Sequence, residues 1–107
     1  MVDEKKKSIP LLVKLCSDKA AYEARPQRKV SFDLNKLQKL FKAVDNYQIL
    51  VYTPYIIVLK NKRGKEVTFS EDGRMLLKNV SGESEAKALA CDVFEMALKA
   101  SKRRIGS

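Results

Sequence analysis

The residue types that most often perform catalysis or bind transition metals are few and scattered in this chain. It contains no histidine and only two cysteines, Cys16 and Cys91, which are far apart and form no Cys-x-x-Cys unit. A Cys/His zinc site is therefore excluded, and a four-cysteine site cannot be built within one chain. Without histidine, the usual general base near neutral pH is missing.

The glycines and aspartates give no stronger sign of an enzyme. Only four glycines occur, and none belongs to a G-x-x-x-x-G-K or G-x-G-x-x-G phosphate-binding pattern. The aspartates are spread over different predicted elements, and Asp33, Asp45 and Asp72 fit helix caps or turns. We therefore expect a protein that is not an enzyme, with no catalytic residue, no metal site and no cofactor.

The two cysteines fit a structural role better than a chemical one. Both lie among apolar residues, which favours small core side chains. A disulfide between Cys16 and Cys91 stays open, because some intracellular proteins of hyperthermophiles carry disulfides.

The charge of the chain indicates a polyanionic partner. Its 22 lysines and arginines exceed its 13 aspartates and glutamates, which gives a net charge of +9. Such a surplus favours nucleic acid or an anionic membrane surface, and a generally basic thermophilic proteome is the alternative explanation. The longest apolar run, residues 55–59, is too short to cross a bilayer, and the charged first residues lack a secretory hydrophobic region. We expect a cytoplasmic protein that binds nucleic acid and no membrane.

The segment 60–80, KNKRGKEVTFSEDGRMLLKNV, alternates apolar with polar residues and contains two glycine turns. Three-residue loops ending in Gly64 and Gly73, with each glycine left-handed, bring apolar residues opposite apolar residues. A two-residue loop at Asp72-Gly73 would instead place Val67 opposite Lys78, and register follows the hydrophobic pattern. The predicted pairs are Ile57 with Phe69, Leu59 with Val67, Phe69 with Met75, and Val67 with Leu77.

This register divides the predicted strands into two faces. The first is a core face for helices to cover, consisting of Tyr55, Ile57, Leu59, Val67, Phe69, Met75 and Leu77. The second consists of Ile56, Val58, Lys60, Glu66, Thr68, Ser70, Arg74, Leu76 and Lys78, and a tight connection at Thr53-Pro54 would add Tyr47, Ile49 and Val51. An apolar centre with basic borders is unusual for a plain solvent face. A binding surface, a subunit interface and cover by an N-terminal helix are the three explanations.

Single-stranded nucleic acid is the favoured ligand of the second face. Lysines and arginines would neutralise phosphates, while tyrosines and aliphatic side chains would receive bases. The predicted binding residues are Lys60, Lys62, Arg63, Arg74, Lys78, Tyr47, Tyr52, Tyr55, Ile49, Val51, Ile56, Val58 and Leu76. The choice between DNA and RNA stays open. The alternative function is a protein-interaction module that uses the same face as a homodimer interface.

The remaining segments provide the predicted framework. Apolar spacing over residues 9–24 predicts a helix with Ser8 as its cap, and a strand over PLLVKLC followed by a short helix is the competing interpretation. Residues 28–32 predict a strand, 33–44 an amphipathic helix capped by Asp33, and 47–52 a strand. A long helix is predicted over 83–101, capped by Ser81. We expect a flexible charged segment at 1–8, one domain at 9–101 and a basic tail at 102–107.

The predicted fold is α+β, with an antiparallel sheet of four to five strands, helices packed on one face, and an N-terminal helix. The stretch YIIVLKNKRGKEVTFSEDGRMLLKNVSGESEAKALACDVFEMAL, residues 55–98, resembles one half-repeat of the TATA-box-binding-protein fold. With 28–44 as the first strand and helix, the resemblance covers residues 28–101 and implies that a saddle would require a homodimer. Size, basicity and an exposed apolar face are also similar to archaeal single-stranded-DNA-binding proteins of the ThermoDBP-related group. That likeness implies a thermophilic archaeal origin.

Overall fold

The computed structural model describes residues 11–16 and 21–106, which form an α+β fold. The predicted flexible segment 1–8 and the predicted helix start at Ser8 lie outside these ranges. The strands are β1 (Leu11–Cys16), β2 (Ala21–Pro26), β3 (Tyr47–Tyr52), β4 (Ile56–Asn61), β5 (Glu66–Ser70) and β6 (Met75–Lys78). The helices are α1 (Leu34–Ala43) and α2 (Glu83–Gly106). The six strands form one antiparallel sheet in the order β1-β2-β6-β5-β4-β3.

The predicted N-terminal helix is wrong, and its residues supply two strands that the prediction of four to five strands did not include. β1 pairs with β2, and β2 pairs with β6 so that Ala24 lies opposite Met75. Leu11 and Val13 then extend the core that Ala24 belongs to. The competing interpretation located β1 correctly, but Ala21–Pro26 form a strand where it expected a helix. Residues 28–32 form no strand and connect β2 to α1.

The register predicted for β4, β5 and β6 is confirmed at every pair. Ile57 lies opposite Phe69, and Phe69 lies opposite Met75, as three-residue loops require. Gly64 and Gly73 have φ angles of 83° and 88°, in the left-handed region that glycine adopts without steric cost. The apolar pattern therefore sets the register of these strands.

Both helices pack against one face of the sheet, which carries the core. The buried core includes Leu37 and Phe41 of α1, Val93 and Phe94 of α2, and Phe69 at the centre of the sheet. An edge-to-face aromatic contact also anchors the segment before α1, because the ring of Phe32 lies 5.3 Å from that of Phe69 and 5.7 Å from that of Phe94. Of the predicted core face, all residues except Tyr55 are buried, namely Ile57, Leu59, Val67, Phe69, Met75 and Leu77.

The ends of the helices follow local hydrogen bonding. The Asp33 carboxylate accepts a hydrogen bond from the Asn35 backbone N–H at 3.0 Å, so the predicted cap of α1 is confirmed. At α2, the Gly82 carbonyl accepts from the Ala86 N–H, and the Ser81 N–H donates to the Glu85 carboxylate at 2.7 Å. Ser81 therefore precedes the cap position instead of occupying it. No helix in the described part of the chain is long and apolar enough to cross a membrane.

A bulge in β3 overturns part of the predicted face assignment. Ile49 lies opposite Leu59, but Val51 lies opposite Val58, so the register shifts between these two pairs at Leu50. The extra residue reverses the alternation of everything before it. Tyr47 and Ile49 consequently belong to the core side, whereas Val51 points to the opposite side as predicted.

Candidate functional site

The outer face of the sheet, on the side away from α1 and α2, has an apolar and hydroxyl-bearing centre. Val51 lies opposite Val58, Val58 opposite Thr68, and Thr68 opposite Leu76 in one row across four strands. Leu76 is followed in the same row by Glu23 of β2. Val58, Thr68 and Leu76 are half-buried, and Val51 is 44% exposed. The predicted membership of Ile56, Val58 and Leu76 in this face is confirmed.

The cations predicted on the outer face lie beside carboxylates. Glu66 sits between Lys60 and Lys78 in the cross-strand row next to the apolar centre. The Arg74 guanidinium lies 3.8 Å from the Glu23 carboxylate and 3.4 Å from that of Asp72. Such contacts reduce the positive potential that this face offers to a phosphate.

The three tyrosines of the predicted site separate into one buried and two exposed positions. Tyr47 packs in the core and donates a hydrogen bond from its hydroxyl to Asp92 at 2.6 Å. Burial, and after it the hydrogen bond to the Asp92 carboxylate, raises the pKa of Tyr47. Tyr52 and Tyr55 flank the β3–β4 turn and are 41% and 69% exposed. Tyr55 was expected on the core face, and this is wrong because the chain turns there before β4 begins at Ile56.

Lys62 and Arg63 lie far from the exposed tyrosines, at the opposite end of the strands. They belong to the β4–β5 turn and line a groove of about 330 Å³ against the N-terminal half of α2. Lys65 in the same turn donates to the Asn79 carbonyl at 2.8 Å and lies 3.6 Å from the Glu85 carboxylate. The pKa of Glu85 is lowered, first by the hydrogen bond from the Ser81 backbone. These two predicted binding residues therefore share a groove with the buried Tyr47 and are not brought together with the exposed Tyr52 and Tyr55.

A basic cleft that the sequence analysis missed lies at the tyrosine end of the sheet. We define the basic cleft as the cavity of about 750 Å³ between the β5–β6 turn, the end of β2 and the segment 27–30. Its cationic lining is Arg25, Arg28, Lys29 and Arg74, and Asp72 is its one carboxylate. The visible sequence signal was RPQRK at 25–29, which places three cations in five residues. Residues 28–32 had been interpreted as a strand, and Arg74 reaches the cleft only through the fold.

The described side chains give no sign of a metal centre. They contain no group of three or more cysteine, aspartate and glutamate side chains suited to holding a metal ion. Burial raises the pKa of the Cys91 thiol, which disfavours the reactive thiolate. The possible disulfide depends on the Cys16 side chain, which lies outside the described part of the structure.

Comparison of the chain with protein-family models, with curated proteins and with solved structures finds no match. The fold and the chemistry of its surfaces are therefore the basis for a functional assignment.

Proposed function

We propose that this protein binds single-stranded nucleic acid across the outer face of its sheet. The observation that carries the proposal is the segregation of the two helices to one face, while the other face presents an apolar row bordered by cations, with the exposed Tyr55 in the turn at one corner. Nucleic acid bases can rest on such a surface without being read by sequence, because every base has an apolar, polarisable face. The net charge of +9 supplies the long-range attraction to the phosphates. We place the protein in the cytoplasm.

Tyr55 is the proposed stacking residue. It is 69% exposed in the β3–β4 turn, and the nearby Leu50 and Val51 of β3 are exposed by 42% and 44%. Tyr52 is also exposed, but it lies opposite the core residue Ile57 and therefore on the helix side of the sheet. Tyr47 does not belong to the proposed site, because its ring packs in the core and its hydroxyl donates a hydrogen bond to Asp92. The expected site is therefore the row from Val51 to Leu76 with the β3–β4 turn at one corner.

The test is a charge placed at the centre of the outer face. Thr68→Glu puts a carboxylate between Val58 and Leu76, where it would repel phosphates and interrupt the apolar row. Ser84→Glu is the matched control, because it adds the same charge on the exposed first turn of α2. Fluorescence anisotropy with labelled single-stranded oligonucleotides should show weaker binding for Thr68→Glu alone. Equal affinities for the two variants would contradict the proposal.

Salt dependence gives a second readout of the same proposal. Each phosphate neutralised on a single strand contributes about −0.7 to the slope of log affinity against log salt, so four or five contacts predict a slope near −3. A slope close to zero would show that phosphate contacts contribute little.

Self-association through the outer face is the second candidate function. It is favoured by large apolar side chains on and beside the sheet edges, since Leu12 is 47% and Val51 is 44% exposed. A homodimer would also complete the saddle implied by the likeness to a TATA-box-binding-protein half-repeat. Sedimentation of the wild type and of Thr68→Glu tests this candidate. A dimer that Thr68→Glu converts to monomer, without any oligonucleotide binding by the wild type, would favour it over the nucleic-acid proposal.

A further inference from the structure

The basic cleft differs from the outer face in how many of its cations are paired with carboxylates. Three ion pairs occur between described residues, and they involve Lys65 and Arg74 as the cations. Arg25, Arg28 and Lys29 take part in none of these pairs, and all three are exposed. Among the described residues, the cleft therefore presents three cations that take part in no ion pair, with the partly compensated Arg74 opposite them.

The walls of the cleft are fixed by a backbone hydrogen bond and by close packing around Gly73. The Phe32 N–H donates to the Glu71 carbonyl at 2.8 Å, which ties the segment before α1 to the β5–β6 turn. Gly73 in that turn packs so closely that an added Cβ would lie 2.9 Å from Val30 Cγ2 and 3.1 Å from Pro26 Cγ. Because Pro26 and Val30 flank the cationic stretch on both sides, the backbone that carries Arg28 and Lys29 is held in place. A site held in this way loses little conformational entropy in its backbone when a ligand binds.

The cleft and the exposed tyrosines share one end of the sheet. The Glu71 N–H donates to the Tyr55 carbonyl at 3.2 Å, so the β3–β4 turn adjoins the β5–β6 turn. Arg25 lies three strands away from the start of β4, across β5 and β6. With about 4.8 Å between neighbouring strands, the path from the tyrosines to the cleft is roughly 14 Å. A short stretch of nucleic acid can therefore contact both.

We propose that the basic cleft is a phosphate-binding site, in which Arg25, Arg28 and Lys29 hold the sugar–phosphate backbone of a single strand whose bases lie on the outer face. This inference rests on the proposed function, and it assigns the main phosphate contacts to Arg25 at the end of β2 and to Arg28 and Lys29 in the segment that follows it. The charge fits, since the cleft has four cations against one carboxylate. Its volume of about 750 Å³ is ample for a phosphate group with its sugar.

The experiment compares two double variants that each remove two exposed cations from a surface segment. Arg28→Ala with Lys29→Ala removes two of the four cations of the cleft, and Lys62→Ala with Arg63→Ala is the matched control at the far end of the sheet. Labelled single-stranded DNA and RNA of the same sequence are titrated over a range of salt concentrations. The cleft variant should bind more weakly, with a slope shallower by about 1.4 on both nucleic acids, because two phosphate contacts are lost. The control should keep the wild-type slope.

A variant that keeps both charges distinguishes loss of charge from damage to the fold. Arg28→Lys with Lys29→Arg should keep the wild-type slope, because each contact then retains its charge. Thermal unfolding of every variant checks that the fold is intact.

The outcomes separate this inference from the proposed function. An unchanged slope in the cleft variant, or an equal loss in both double variants, would overturn the cleft as a phosphate site while the sheet remains the binding surface. A wild type that binds no single strand even at low salt would overturn the proposed function and this inference with it.

Discussion

The two ends of the sheet carry similar numbers of cations and use them differently. At the clasped end, where the β4–β5 turn meets α2, the groove is lined by three cations and two carboxylates. At the cleft end, formed by the β3–β4 turn, the β5–β6 turn and residues 27–33, the basic cleft is lined by four cations and one carboxylate. Hydrogen bonds and an ion pair at Lys65 use charge to hold the clasped end together. The number of lysines and arginines alone is therefore a poor guide to a phosphate-binding site. The number of carboxylates beside them must also be considered.

The largest expected effect is on stability, when the glycine in the turn at each end is replaced by alanine. Gly73→Ala at the cleft end would force alanine into a left-handed conformation and press its Cβ against Val30 and Pro26. The left-handed strain costs about 1–2 kcal/mol and the overpacking about 1–3 kcal/mol, so we expect a loss of about 2–5 kcal/mol in the free energy of unfolding. Urea denaturation measures this loss.

Gly64→Ala is the matched substitution at the clasped end. Its φ is also positive, but an added Cβ would meet no atom within 4 Å. We expect the strain alone, about 1–2 kcal/mol in the free energy of unfolding. If both variants lost the same stability, the packing of the β5–β6 turn against Pro26 and Val30 would be energetically unimportant. The cleft would then lack the rigid wall described above.

Substitution of one tyrosine at each end tests the comparison through the affinity for single-stranded nucleic acid. Tyr55→Ala at the cleft end should weaken single-strand binding by about 1–3 kcal/mol, the usual contribution of one stacked base, and leave the salt slope unchanged. Tyr47→Phe at the clasped end should leave binding unchanged, since its ring stays in the core. Oligonucleotide titrations measure both. Comparable losses for the two variants would contradict the assignment of stacking to the exposed tyrosine.

The smallest expected effect is that of Tyr47→Phe on stability near neutral pH. The variant loses one hydrogen bond to Asp92, at a cost of about 1 kcal/mol, because the exposed carboxylate regains water. The raised pKa of Tyr47 makes its contribution depend on pH. The neutral phenol stabilises the fold below the ordinary pKa of 10.0, and this stability is lost as pH rises above 10.0, because the unfolded chain ionises first.

The pH dependence of the free energy of unfolding can be measured separately. Between pH 10 and the raised pKa, the wild type should lose up to about 1.4 kcal/mol per pH unit more than Tyr47→Phe does. Urea denaturation of both proteins across this range gives the difference. Parallel pH profiles would show that the phenol ionises with little resistance from the fold.

The sequence predicts β4, β5 and β6 well because two independent signals agree there. Turn glycines and strict alternation of residues such as Val67 and Phe69 favour one register. The stretch before Arg25 is less decisive, since Leu12, Val13 and Cys16 fit a helical spacing as well as an extended one. Pairing with β6 decides the matter in favour of strands, and that contact is distant in sequence.

The candidate site was predictable only where local alternation determines it. Val58 and Leu76 follow from the register, but no glycine or proline marks the bulge at Leu50 that turns Ile49 inward. The basic cleft joins Arg74 to a cationic segment more than 40 residues earlier in the chain. Only the folded arrangement of β2 beside β6 brings them together.

The bulge in β3 also affects the edge of the sheet. β3 and β1 are the two outermost strands of the described sheet. An extra residue at Leu50 breaks the even spacing of outward N–H and C=O groups that a neighbouring chain needs as a template. β1 pairs with β2 without interruption from Leu11 to Cys16 and retains that even spacing. Of the two edges of the described sheet, β1 is therefore the better template for growth into a larger assembly or an aggregate.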